Sequence, residues 1–155
     1  MSRGLSKIPI LLWLLVTISC SPGEGTEGPG INEIEDLKTK QYAIQGQQLY
    51  LQYCSNCHQE DGSGLARLIP PLKKADYMLD DIDRTIRLIK MGISGEIIVN
   101  GTSYDQPMPG YPQLTNLEIA QISTYIYNVW GNKKGLVPAE RVNTVLENAS
   151  NIPLQ

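Results

Sequence analysis

Two cysteines and the only histidine of the chain stand within five positions, as Cys54-Ser-Asn-Cys57-His58. Thiols three positions apart on one helical turn share a face, and the next residue lies beside them. C-x-x-C-H is the attachment signature of c-type haem. Each thiol can add to one vinyl group, and the adjacent imidazole can reach the iron from below the ring. A large apolar plate tied to the chain at two points then dictates what the remaining residues must pack around.

The competing readings of this motif fail on ligand number or context. A structural zinc site needs four ligands, and once Cys20, near the N-terminus, is set aside only two Cys and one His remain. A redox-active thiol pair belongs beside a βαβ pattern, and none is visible. A disulfide across two residues leaves His58 unexplained. The formal charge of -3 and pI of about 5.1 give no support for nucleic-acid binding. No nucleophile, acid or base is required by a haem that carries electrons, so no catalytic residue and no small-molecule substrate are expected.

The N-terminus reads as an export signal. Arg3 and Lys7 precede an almost wholly apolar run from Ile8 to Ile18. That run is too short for a membrane-spanning helix, which takes about 20 residues, and suits a signal peptide. Thr17-Ile-Ser-Cys20 resembles a bacterial lipoprotein cleavage box, although Leu is usual where Thr17 stands. We therefore expect a lipoprotein signal over 1–19 and lipidation at Cys20, which also removes a reactive unpaired thiol. Cleavage there takes Arg3 and Lys7 from the 13 basic residues, leaving 11 against 16 acidic ones, a side-chain charge of -5. Residues 20–40, rich in Gly, Pro and Glu at first, are expected to form a lipid-anchored flexible linker. A tether of about 20 such residues has a root-mean-square reach of roughly 25 Å. The anchor would place the protein in the periplasm or on the outer face of a bacterial membrane.

The residues around the motif form an ordered series. Gly46 and Tyr50 precede it, Gly62-x-Gly64 follows, and Ile69-Pro70-Pro71-Leu72 must be extended. With Met108-Pro-Gly-Tyr111 and the helical stretch ending Tyr125-Ile-Tyr-Asn-Val-Trp130-Gly-Asn132, this series resembles class I cytochrome c over about residues 42–149. The resemblance implies an all-α class I cytochrome c fold, with about three to five helices around one covalent haem c. It implies a domain over 41–150, a close crossing of two helices at Gly46 and Tyr125, and a Pro70 or Pro71 carbonyl accepting a hydrogen bond from His58. Trp130 is a candidate neighbour of a haem propionate.

A second axial ligand must come from elsewhere. With one His, a two-His site within the chain is excluded. Met91 ends a helical run and reads as helix-end packing, while Met78 reads as core or surface filler. Met108 lies between Pro107 and Pro109, which forbid helix and suit a side chain presented to a plate. In the family the distal Met precedes Pro, which on this chain is Met108. Met/His ligation raises the reduction potential and fills both axial positions, which suits electron transfer.

The frame is largely helical. Ile82, Ile86 and Ile89 follow the i, i+4, i+7 pattern, with Asp80-Asp81 at the start and Gly92 as a stop. Thr115 and Glu118 match a capping box before the stripe Ile119, Ile122, Ile126 and Val129. Residues 93–113 look loop-like, with Ile97–Val99 a short extended piece and the rest too irregular for a sheet. Pro138 opens a further short helix of unread function, expected on the exterior. The expected function is single-electron transfer between redox-protein donor and acceptor, with the membrane reached through the lipid anchor. Two alternatives stand beside it: an electron-accepting subunit of a dehydrogenase or reductase complex, and a sensor or peroxidase with an open sixth position.

Overall fold

A computed structural model describes residues 30–149. The expected signal, Cys20 and residues 20–29 of the expected linker lie outside the described residues. A 3-10 turn at Ile31–Glu33 precedes α1 (Leu37–Tyr53), α2 (Ser55–His58), α3 (Asp76–Leu79) and α4 (Ile82–Met91). Four short strands follow: β1 (Gly92–Ile93), β2 (Ile97–Val99), β3 (Thr102–Tyr104) and β4 (Met108–Pro109). The chain closes with α5 (Asn116–Ile126) and α6 (Ala139–Ala149). The mostly helical architecture is the expected one.

Helix ends are set by local side chains. Asp36 caps α1, accepting from the Thr39 hydroxyl at 2.6 Å and the Thr39 amide at 2.7 Å. These bonds hold the Asp36 carboxyl below its ordinary pKa. Asp81 caps α4 through the Arg84 amide at 2.8 Å. Thr115 and Glu118 form the anticipated capping box on α5, with Thr115 N donating to Glu118 at 2.7 Å and Glu118 N to the Thr115 hydroxyl at 3.2 Å.

The core centres on α5. Its residues from Ile119 to Ile126 are buried apart from Gln121, because α1, α4 and α6 all pack on it. A helix apolar on most sides belongs inside. From α1, Thr39, Ala43, Gly46, Gln47 and Tyr50 supply a single stripe at helical spacing. The two helices meet at Gly46, where an added Cβ would lie 2.0 Å from the Gln121 carbonyl oxygen and 2.9 Å from Tyr125 Cβ. The expected close crossing at Gly46 and Tyr125 is therefore present. The Tyr127 hydroxyl ties the end of this helix to its neighbours, donating to the Met78 carbonyl and lying 3.0 Å from the Thr85 hydroxyl.

Two expectations need correction. Residues 93–113 are not too irregular for pairing: β1 pairs with β4, and β2 with β3, both antiparallel. The β1–β4 pair joins residues distant in sequence, which local pattern does not reveal. The packed domain also begins before residue 41. Ile31 is fully buried and α1 starts at Leu37, both inside the stretch read as linker. At the other end, α6 buries Val142 and Val145 against α4 and α5, and Arg141 pairs with Asp83 at 2.7 Å.

Candidate functional site

A largely apolar cleft, open on one side, is walled by α1, α2, α4, α5 and the strand-bearing segment. Cys54, Cys57 and His58, together with Met108 from far along the sequence, all line it. Ile89, Ile122 and Ile126 supply apolar wall from the core helices.

His58 is buried, and its Nδ1 lies 3.1 Å from the Pro70 carbonyl oxygen. Burial lowers its pKa, while the Pro70 bond acts in the opposite sense. The imidazole is therefore neutral near pH 7. A carbonyl can only accept, so Nδ1 carries the proton and the Nε2 lone pair is left for a metal. Of the two prolines left open by sequence, Pro70 makes the bond.

The loop after the motif is folded to deliver that carbonyl. Gly64 N donates to the His58 carbonyl at 3.0 Å, and Leu72 N to the Gly62 carbonyl at 2.8 Å. A Cβ on Gly64 would lie 2.4 Å from the Ile69 oxygen and 2.6 Å from the Pro70 oxygen. Gly64 also has φ +71, so both shape and space call for glycine there.

Gln59, next to His58, was not singled out by sequence. Its backbone, at φ 63 and ψ 159, lies in a region almost reserved for glycine. The Tyr50 hydroxyl donates to its carbonyl at 2.5 Å. Such strain persists only where the surroundings impose it, and here it sets the exit of the chain from the motif.

Cys54 and Cys57 occupy one turn, with His58 N donating to the Cys54 carbonyl at 2.9 Å. Cys54 is half-buried, and burial, with Cys57 nearby, pushes its thiol up to about 12. Cys57 is exposed. No three His, Cys, Asp or Glu side chains gather as a metal cluster among the described residues. The strand pairs there are antiparallel, so the βαβ setting of a redox thiol pair is missing from them.

Met108 is half-buried, and its backbone pairs with Ile93. Met78 also lines the cleft and is buried. Met91 departs from expectation: it is 46% exposed rather than packed at the helix end. Trp130 is not among the residues that line the cleft. Its ring packs edge-on against Tyr50 and Tyr125, with centroids 5.3 and 5.5 Å apart. Its buried Nε1 has no hydrogen-bond partner among the described residues.

The donor set fits a covalently attached haem. It combines two thiols on one turn, a neutral imidazole with a committed Nδ1, a thioether and apolar walls. The family model described as Cytochrome c matches residues 43–130. Cytochrome c-552 of Thermus thermophilus is 33% identical over 93 residues, covering 57% of this chain and 70% of that protein. A second cytochrome c-552 of the same species is also 33% identical over 93 residues, which span 62% of its length. The cytochrome c subunit of the quinone alcohol dehydrogenase of Gluconacetobacter polyoxogenes is 30% identical over 94 residues, 59% of this chain but only 20% of that subunit.

Proposed function

The chain belongs to the cytochrome c family, and on that premise we propose that it carries single electrons between exported redox partners through a haem with His58 and Met108 as axial ligands. It is an electron-transfer protein with covalent haem c. The attachment points are Cys54 and Cys57. Bound there, the haem iron supplies the one-electron Fe(II)/Fe(III) couple.

The chain's own residues do the rest. Pro70 fixes the His58 ring and raises its basicity as a ligand. The segment carrying Met108 is fastened by backbone pairing to Ile93, which presents a thioether to the cleft. Ile89, Ile122 and Ile126 keep water from the interior face of the cleft. The observation that carries the reading is that His58 and Met108 line one cleft, His58 with Nδ1 already committed. Two filled axial positions leave no place for a small ligand. The reduced holoprotein is accordingly expected to bind carbon monoxide slowly and weakly. Ready binding would instead favour a sensor or peroxidase.

The N-terminal sequence supports export and lipidation at Cys20, which would hold the domain outside the cytoplasm by a short leash. Labelling with a radioactive fatty acid should mark the wild type and spare Cys20→Ala. Similarity to a dehydrogenase subunit favours a second reading, an electron acceptor bound within an enzyme complex. Recovery with a stoichiometric enzyme partner under mild detergent would support it.

A further inference from the structure

We propose that Lys90 is a positioning residue that clamps the Met108 segment to the end of α4, and that it thereby sets how readily Met108 leaves the iron. This rests on the reading of Met108 as distal ligand. The ammonium of Lys90 donates to two carbonyls of the downstream segment, Pro112 at 2.8 Å and Leu114 at 2.7 Å. Neither belongs to its own helix. A lysine in a last turn complements the helix dipole wherever it points, but that effect needs no contact with residues 112–114.

Three further ties join the same two segments. Tyr111 N donates to the Ile89 carbonyl at 2.9 Å. Gly92 and Ile93 pair with Pro109 and Met108. At Gly92 and Gly110 the two backbones touch: a Cβ on Gly92 would lie 2.5 Å from the Met108 oxygen, and one on Gly110 2.3 Å from the Met91 carbonyl carbon. Met108 thus sits on a short span held by β1 on one side and by the Lys90 ammonium beyond it. Lys90 is the one side chain of α4 that reaches across to residues 112–114 in this set of bonds, and its charge strengthens both. Cutting it loosens the downstream anchor of the span, while the backbone pairing, the glycine contacts and the rest of α4 remain.

The test uses the oxidised, haem-loaded protein titrated with imidazole, a ligand that competes with a thioether. Its readouts are the weak far-red thioether-to-iron band and the reduction potential. Lys90→Met is expected to displace Met108 at about tenfold lower imidazole concentration, because both charge-assisted hydrogen bonds are lost while the other ties of the span remain. Its potential is expected to fall, because thioether ligation raises it. Lys90→Arg, which keeps two donors and the charge, should recover most of the wild-type behaviour. Lys133→Gln, at an exposed ion pair with Glu33, should change neither readout. If Lys90→Met does not assemble, Lys90→Gln is read by the same criteria. Wild-type imidazole affinity and potential in the neutral Lys90 variant would overturn the proposal. Met108→Ala separates the two layers. Loss of its band with an unchanged Lys90 variant refutes the clamp alone, whereas survival of its band refutes the ligand assignment and the clamp with it.

Discussion

At Gly92 two independent constraints fall on one residue. Its backbone, at φ 77 and ψ -174, lies where a side chain is strained by about 1–3 kcal/mol. Its missing Cβ also leaves room for the Met108 carbonyl. Gly92→Ala is therefore expected to destabilise the fold by about 2–3 kcal/mol and to weaken the far-red band. Thermal melts of the holoprotein alongside its spectrum check both. A lowered melting temperature with an untouched band would mean that the strain is absorbed away from Met108. Tyr50 offers a second single-residue test. Tyr50→Phe removes the donor that holds the strained Gln59 carbonyl and is expected to cost about 1–2 kcal/mol, read by chemical denaturation.

Among the elements, the α1–α5 crossing has the least tolerance. Any side chain at Gly46 meets the Gln121 backbone, which cannot rotate away. Gly46→Ala should cost at least about 1–3 kcal/mol, whereas Thr115→Ala, which removes an exposed cap, should cost about 1 kcal/mol. Equal melting temperatures for the two variants would contradict that ranking. The contrast also shows what the sequence could disclose. The α5 cap and the α4 stripe were legible because their partners lie three or four residues away. That His58 and Met108 matter was suggested by residue chemistry and a family pattern, and the structure brings both to one cleft. Which proline serves His58 depends on how the 62–72 loop closes, and local pattern does not set that. The β1–β4 pair was hidden for a similar reason, since Ile93 and Met108 meet only across a long excursion. Ile31 gave no periodic signal among glycines and acids, yet it is buried because the segment before α1 folds back onto the core.

Across the whole molecule, buried tyrosines couple stability to alkaline pH. Burial pushes Tyr125 and Tyr127 up to about 12 and raises Tyr50 further, against about 10 for an unfolded tyrosine. Between those values the folded state binds more protons than the unfolded one. Their contribution is therefore complete below about pH 10 and is lost as pH rises through about 12. Melting temperatures followed from about pH 8 to 12 should hold to about 10 and then fall, less steeply in Tyr127→Phe. A profile that stays level to about pH 12 would be inconsistent with those burials. The same scale holds the central claim, that distant parts of the chain close one cleft around a six-coordinate haem. The optical spectrum of the oxidised holoprotein tests it most directly. The account predicts a weak far-red thioether-to-iron band in the wild type and in Met78→Ala, and its loss in Met108→Ala; a band that survives Met108→Ala, or vanishes in Met78→Ala instead, would contradict it.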